Sequence, residues 1–439
     1  MNPKEAAAHT IAQRLRQAGY IAYFAGGCVR DRLLGREPQD FDIATSAPAD
    51  VVQQLFKRTV PVGVQFGVVV VLIDAEAVEV ATFRSDAAYL DGRHPSSVHF
   101  GSAEEDACRR DFTINGMFID PTTGAIIDYV GGQADLRAGV IRAIGDAAAR
   151  ISEDRLRMLR AVRFAARLGF DIEPATFAAI RAAAPLITDM AWERIGDEVV
   201  RILTDSEAGS ARSGFGLLDR SGLLEPILPE IAALKGVEQS PDYHPEGDVF
   251  VHTLGLLEQL DHPTETLALA ALLHDIAKPS CAQRDEKRIT FYGHCKLGAE
   301  MAIVICQRLR RSRETWERVA VLVRDHLRLL QAPEMRLSTL KRFLASTAIE
   351  ELLELARLDA MASNKDLTSY SFCRQKLSEL GAAGIRPSPL LGGRDLLDLG
   401  LEPGPQFRQI LDAVAEAQLE GTLHSREQAL AWVRERYAL

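Results

Sequence analysis

The feature that most constrains this chain is a change of periodicity near Glu153. Before it, short apolar runs rich in β-branched residues are separated by glycine and proline. After it, β-signals become scarce and an Ala/Leu/Arg-rich helical pattern continues toward the C-terminus. In the first part, a helix pattern over Ala6–Gly19 precedes strand-like runs at Ile21–Phe24, Phe41–Ala44, Val68–Ile73 and Val78–Phe83, the last two joined by a tight connection at Asp74–Ala77. The expected fold class is therefore α+β. A mixed head over 1–145 is followed by an all-helical body over 146–235 and a second helical module over 236–439. Pro226, Pro229, Gly236, Pro241, Pro245 and Gly247 mark the second boundary. At 439 residues the chain is too long for one compact core, which agrees with two or three domains.

Composition narrows the class. Apolar residues make up 47% and charged residues 26%, as in an ordinary globular protein. The longest apolar stretches, Leu267–Leu273 and Val68–Ile73, fall far short of the ~20 residues a membrane span needs. The N-terminal segment MNPKEAAAHT lacks a basic-then-apolar pattern, so no signal peptide is expected and the expected location is the cytoplasm. Six scattered cysteines without a C-x-x-C pair argue against a disulfide framework and a zinc ribbon. A net charge of −10 speaks against RNA only at first sight, because a local arginine stripe can bind phosphate while acidic faces point elsewhere.

Two features of the head carry chemistry. Phe24-Ala-Gly-Gly-Cys-Val-Arg-Asp31 follows a strand and opens a helix. Gly26 and Gly27 allow close backbone approach, the helix start offers free N–H groups to phosphate, and Arg30 can add charge-assisted bonds. Asp40-Phe-Asp42 then sets two carboxylates two residues apart, on one face if the segment is a strand. Like charges side by side are unfavourable unless a cation joins them. Hard oxygens at this spacing suit Mg²⁺ held together with substrate phosphates, and Glu79 can supply a third carboxylate for a two-metal site.

Residues 153–169 carry Glu153, Asp154, Arg157, Arg160, Arg163 and Arg167 on about half of a helix circumference, opposite Met158, Leu159, Val162, Ala165 and Ala166. A solvated charged face is the plain reading. Against it stand four arginines without a lysine, with like charges three residues apart that call for an anion. Asp154 and Arg157 can form one recognition edge. The carboxylate only accepts hydrogen bonds and the guanidinium only donates them. Cytosine and adenine both present an amino donor beside a ring acceptor, whereas uracil and guanine place a carbonyl where the amino group belongs. Such an edge selects C and A.

The segments GGCVRD (26–31) and DFD (40–42) resemble the first motif of the class II tRNA nucleotidyltransferases and bacterial poly(A) polymerases, within the DNA polymerase β superfamily. The resemblance continues in family order through RRDFTING (109–116), IIDYVGGQADLRAGVIRAIGD (126–146), EDRLRMLRAVRFAARLGF (153–170) and ERIGDEVVRIL (193–203). It implies a polymerase-β-like nucleotidyltransferase head and CCA addition to tRNA from CTP and ATP. It also implies that Asp154 and Arg157 serve as the nucleotide template, and that Arg110, Arg160 and Arg163 contact the incoming nucleotide. The segment Arg84–Val98 corresponds to a mobile loop of the family. In the last module His252, His274-Asp275 and Asp359 resemble the H…HD…D order of HD phosphohydrolases. This implies a divalent transition-metal site, with His294 and His326 at positions that carry extra ligands in some members. Seven arginines at 308, 310, 311, 313, 318, 324 and 328 are either tRNA-backbone contacts or a solvated surface.

Three readings stay open beside CCA addition. A bacterial poly(A) polymerase shares the head motifs, although 58–67 lacks the basic Gly-Arg-Arg-Phe-like signature of those enzymes. An enzyme adding only CC or only A keeps the same template residues. A phosphohydrolase or regulator with an RNA-binding head would not need the clustered carboxylates.

Overall fold

The computed structural model describes residues 2–63, 66–86, 98–205, 209–240, 247–284 and 289–437. Two compact units emerge, Met1–Ala232 and Ala233–Leu439.

The first unit opens with α1 (Pro3–Gln17). Asn2 caps it by accepting from the Glu5 amide, Pro3 sits where no helical N–H is needed, and Arg14 and Arg16 face the negative end of the helix dipole. Its buried face, Ala7, Ala8, Ile11, Ala12 and Leu15, follows helical spacing and packs on the sheet. The chain continues through β1 (Ala22–Ala25), α2 (Gly27–Leu33), β2 (Asp42–Thr45), α3 (Ala49–Leu55), β3 (Thr59–Gly63), β4 (Val68–Ile73) and β5 (Glu76–Thr82). There follow β6 (Arg84–Asp86), β7 (Val98–Phe100), α4 (Ala103–Cys108), β8 (Phe118–Ile119), β9 (Ile126–Ile127), α5 (Gly132–Ala138) and β10 (Val140–Ile141).

The main sheet has seven strands in the order β3-β4-β5-β2-β1-β8-β9. Its pairings are antiparallel except β2 with β5, which run parallel with Ile43 opposite Val80. The expected strands and the expected hairpin are present, with the hairpin turn tightened to Asp74 and Ala75 between the paired Ile73 and Glu76. Strand β3 was not anticipated. It contains Pro61, and it is tolerated because β3 lies at the edge of the sheet.

The helical part begins with α6 (Ala147–Glu153) and α7 (Leu156–Leu168), then β11 (Asp171–Ile172), α8 (Pro174–Ala183), α9 (Trp192–Thr204), α10 (Ser210–Arg220), α11 (Leu224–Ile227) and α12 (Pro229–Ala232). Helix α7 packs against α9 and α10. Gly214 lets α10 come close, since a Cβ there would lie 2.5 Å from Ile202 Cγ2. Two main-chain links cross the expected boundary at 145/146. Strand β10 pairs in parallel with β11, and the Asp171 and Glu173 amides donate to Gly139 and Ile141 carbonyls.

The second unit is almost entirely helical: α13 (Val249–Glu258), α14 (Glu265–Leu273), α15 (Lys278–Cys281), α16 (His294–Arg308), α17 (Arg313–Asp325), α18 (Leu337–Leu344), α19 (Ile349–Ala362) and α20 (Thr368–Ile385), which kinks at Gly381. A 3₁₀ stretch, His326–Glu334, links α17 to α18. At its C-terminal end α21 (Gly393–Asp398), α22 (Pro405–Leu419) and α23 (Arg426–Tyr437) enclose an apolar cluster of their own around Leu396, Ile410, Val414 and Val433. No helix among the described residues is long and apolar enough to cross a membrane.

Candidate active site

In the first unit a cavity of about 760 Å³ opens where β1 turns into α2. Gly26, at φ 72°, makes that turn and caps α2, and a Cβ there would press to 3.2 Å from Arg110 Nη1. Only glycine combines this backbone with this approach. Asp42 starts β2 directly opposite Ala25, and the β2–β5 register brings Glu79 alongside it on the neighbouring strand. Asp40, Asp42 and Glu79 all line the cavity.

The expectation that Asp40 and Asp42 share a strand needs correcting, because β2 begins only at Asp42. Asp40 lies before it, largely exposed and ion-paired with Lys4. Buried Phe41 packs edge-on against Phe24 and fixes the peptide between the two aspartates. Asp42 is open to the cavity but enclosed by protein around it. Burial, then the neighbouring Glu79 charge, pushes its carboxyl up to about 6, with Arg110 opposing. Crowded carboxylates of this kind match a hard divalent cation as donor set.

The opposite wall is built by α7 and its flanks. Here the structure departs from the single helix expected over 153–169. Glu153 ends α6, Asp154 is extended at φ −144°, and α7 starts at Leu156. The break turns Asp154 into the cavity, where its carboxylate accepts two hydrogen bonds from Arg194 of α9, at 2.9 and 3.3 Å. Arg157 Nη1 donates to Glu153 at 2.7 Å and to the Arg150 carbonyl at 2.6 Å. Arg160 bonds Asp111 at 2.5 and 2.9 Å. Asp111 is buried, but Arg160 holds its carboxyl below the usual range. Arg163 bonds the buried Glu198 at 2.7 Å. Arg157, Arg160 and Arg163 are thus answered by the chain's own carboxylates, Arg157 and Arg163 are buried rather than solvated, and Arg167 lines the cavity.

Arg30 is buried too. It donates to Asp31 at 2.8 Å and to Asn115 at 2.7 Å, with its guanidinium 5.3 Å from the Phe164 ring. Arg110 is held by Asp106, 3.0 and 3.2 Å away, and lies over Phe118. Sequence reasoning missed Asp106, Asp111, Asn115, Arg194 and Glu198. Asp111 and Asn115 lie within RRDFTING, and Arg194 and Glu198 within ERIGDEVVRIL, so the segments were visible and the pairings were not. Of the loop expected over Arg84–Val98, residues 87–97 lie outside the described residues. Arg84 itself lines the cavity and donates to the Phe66 carbonyl at 2.5 Å.

In the second unit, His252, His274, Asp275 and Asp359 come together from α13, the end of α14 and α19. His252 Nε2 lies 3.1 Å from Asp359 and 3.3 Å from His274 Nε2, and His274 Nε2 lies 3.1 Å from Asp275. His294 and His326 approach the same Asp275 at 3.5 and 3.9 Å. The ring of His274 is anchored by Nδ1 on the Ala271 carbonyl at 3.0 Å. That bond leaves Nε2 free as a ligand, the usual support of a metal-binding imidazole. Asp275 is buried and Asp359 half-buried. The His252 hydrogen bond and the His274 charge hold Asp359 far down, and His274 and Lys278 hold Asp275 well below the usual range. Lys278, which the sequence reading passed over, bridges Asp275 and Gln239 at 2.6 Å each. The donor set fits a divalent transition metal.

Of the arginines at 308–328, Arg313, Arg318 and Arg324 bond Glu317, Glu351 and Asp325, and Arg311 lies 3.6 Å from Glu265. These four are engaged within the unit, which favours a structural surface over a bare phosphate-binding one.

Three family models match the chain. One described as the poly A polymerase head domain covers residues 22–142, one described as a probable RNA and SrmB-binding site of polymerase A covers 169–235, and an HD domain covers 248–362. The CCA-adding enzyme of Levilactobacillus brevis is 33% identical over 426 residues, 96% of each chain. That of Streptococcus pneumoniae serotype 19F is 32% identical over 429 residues, 97% of this chain and 96% of the relative. The crystal structure of the Bacillus stearothermophilus CCA-adding enzyme in complex with CTP superposes with a TM-score of 0.64 at 29% identity, covering 100% of this chain and 98% of that one.

Proposed function

The chain belongs to the family of CCA-adding enzymes, and from that premise we infer that it transfers CMP and AMP from CTP and ATP, without a nucleic-acid template, to the 3′ end of tRNA and releases pyrophosphate. The observation that carries the reading is the single cleft in which Asp40, Asp42 and Glu79 face Asp154, Arg157 and Arg160. Carboxylates for a divalent cation and a donor–acceptor edge for a base are together there.

The activity depends on a divalent metal, as the nucleotidyltransferase family implies, and the metal in this reading is Mg²⁺. Asp40 and Asp42 would hold it, with Glu79 beside them. When bound, Mg²⁺ supplies charge neutralisation along the triphosphate and a more acidic attacking hydroxyl. The chain's own residues do the rest. The Gly26–Gly27 turn and the Gly27 amide receive the triphosphate at the start of α2. Arg110 lies next to that turn, and Arg30 braces it from below through Asn115. The tRNA 3′-oxygen attacks the α-phosphorus in line, the new P–O bond forms as the bond to the β-phosphate oxygen breaks, and pyrophosphate leaves. Positioning and charge supply the acceleration.

Selection of C and A rests on Asp154 and Arg157. Arg194 takes two of the carboxylate's lone pairs, so the remaining ones can accept from the amino group of cytosine or adenine. Arg157 keeps donors beyond the Nη1 engaged by Glu153 for the ring acceptor. In the second unit, His252, His274, Asp275 and Asp359 would hold a divalent transition metal and support phosphoester hydrolysis. A tRNA-end activity fits the cytoplasm.

The test is incubation of purified protein with tRNA transcripts lacking A, CA or CCA, each given CTP, ATP or both. Ends completed to CCA support the reading. Long A-tails would reassign the chain to the poly(A) polymerases, and arrest after CC or inability to add C would make it a partial enzyme.

A further inference from the structure

Arg167 differs from every other arginine that lines the cleft. The others are engaged by the chain itself, through a carboxylate or, for Arg84, a main-chain carbonyl. Among the described residues Arg167 has no hydrogen-bond or ion-pair partner, although it is half-buried and faces the cavity. A guanidinium only donates hydrogen bonds, and partial burial without an acceptor costs solvation that nothing in the chain returns. The complement of such a group is an anion that enters the cleft from outside.

Its place on α7 says which anion. Arg167 lies seven residues beyond Arg160, on the same side of the helix, and ten beyond Arg157, so it stands about 15 Å along the axis from the Asp154–Arg157 edge. The element next to this part of α7 is the first turn of α2. The Arg30 guanidinium lies 5.3 Å from the ring of Phe164, three residues before Arg167. Burial lowers the Arg30 pKa, and the Arg167 charge lowers it further against the pull of Asp31. Arg30 follows the Gly26–Gly27 turn where the triphosphate is received. The base edge and Arg167 thus stand at opposite ends of the cleft, as the base and the terminal phosphate stand at opposite ends of an extended nucleoside triphosphate.

At the phosphate end Arg110 is shared with Asp106 and Arg30 with Asp31. A triphosphate bound to Mg²⁺ still carries net negative charge, most of it on the terminal phosphate. Arg167 is the uncommitted cation that meets it, and its planar fork suits two phosphate oxygens at once. Resting on the nucleotidyl-transfer reading above, we propose that Arg167 binds the terminal phosphates of the incoming triphosphate and, after transfer, the departing pyrophosphate. Those phosphates are the same in CTP and ATP. The contact therefore adds affinity for both substrates and leaves the choice of base to Asp154 and Arg157.

Equilibrium binding of CTP, CMP and pyrophosphate, each with Mg²⁺, to the full-length wild type, Arg167→Gln and Arg167→Lys tests this without turnover. Arg167→Gln is expected to weaken CTP and pyrophosphate about 10-fold, the worth of a charge-assisted contact, and to leave CMP unchanged. Arg167→Lys keeps the charge without the fork and should recover part of the loss. The melting temperature should match the wild type, because no intramolecular partner is lost. In steady state the KM of Arg167→Gln should rise alike for CTP and ATP, with the KM for tRNA and the CTP/UTP preference unchanged. Equal pyrophosphate binding by wild type and Arg167→Gln overturns the proposal, as does an equal loss of CMP and CTP. A loss confined to the KM for tRNA also overturns it and gives the arginine to the RNA backbone. Nucleotide addition by the wild type tests the function separately: its absence sinks that reading, while the pyrophosphate comparison still decides Arg167.

Discussion

Arg194 grips both oxygens of Asp154, donating hydrogen bonds of 2.9 and 3.3 Å from a helix forty residues further along the chain. The carboxylate sits just outside any helix, and its one local restraint is a hydrogen bond accepted from the Leu156 amide at 3.1 Å. The arginine adds a second, two-pronged restraint. Arg194→Ala is expected to lower kcat/KM for CTP by about 10–100-fold, the worth of charge-assisted hydrogen bonds. The preference for CTP over UTP should narrow at the same time. Arg194→Lys cannot reproduce a two-pronged contact and should restore rate better than selectivity. Single-nucleotide addition kinetics with all four triphosphates decide this, and an unchanged CTP/UTP ratio would count against the assignment of Asp154.

Asp42 ties stability to pH. Its carboxyl sits at about 6 instead of 3.8, through burial and the nearby Glu79. A raised carboxyl pKa contributes stability that is complete below the unfolded value and is lost as pH climbs through the folded one. Chelator-treated wild type should therefore lose stability relative to Asp42→Asn between about pH 4 and pH 6. Mg²⁺ should return the loss to the wild type and not to the variant. Urea midpoints at each pH, with and without Mg²⁺, measure it. Nucleotide addition by Asp42→Asn should fall by about 10³-fold or more, in line with the several kcal/mol a bound metal contributes to charge stabilisation.

Arg163 and Glu198 are both buried and 2.7 Å apart. Removing one partner leaves a charge in the core between α7 and α9. Glu198→Ala is expected to cost about 3–5 kcal/mol, read as a lower denaturation midpoint of the first unit. The double change Arg163→Met with Glu198→Leu should recover much of the loss while nucleotide addition stays impaired, because Arg163 also lines the cleft.

Gly132 is a packing requirement rather than a turn. A Cβ there would fall 2.2 Å from the Thr113 carbonyl oxygen and 2.8 Å from Met117 Cγ. Backbone cannot yield as a side-chain tip can, so Gly132→Ala should destabilise by about 1–3 kcal/mol. It should also displace the turn Thr113–Asn115 that positions Asn115 against Arg30. A thermal shift together with a raised KM for the triphosphate is the expected signature, and a fall in stability alone would separate the turn from the site.

The sequence carried the sheet because its strands are local signals. Val68–Ile73 and Val78–Phe83 are apolar, β-branched and closed by a short turn, and both appear close to their expected bounds. Asp42 and Glu79 were legible for the same reason, since strand direction and register follow from the pattern. What stayed hidden was tertiary. Nothing local says that Asp111 will meet Arg160 from forty-nine positions away, or that Arg194 will reach Asp154. Periodicity carried the helix through Asp154 because Glu153, Asp154 and Arg157 fit a charged face. The Arg194 contact and a local hydrogen bond from the Leu156 amide to Asp154 Oδ1 support the break instead.

Strand β10 pairs with β11 over only two residues each, yet it stitches the sequence leaving the sheet to the sequence leaving α7. The jaws of the cleft are thereby laced together at their hinge. A cut in that two-rung ladder of hydrogen bonds would leave the helical wall joined to the sheet by side chains and a single strand of chain.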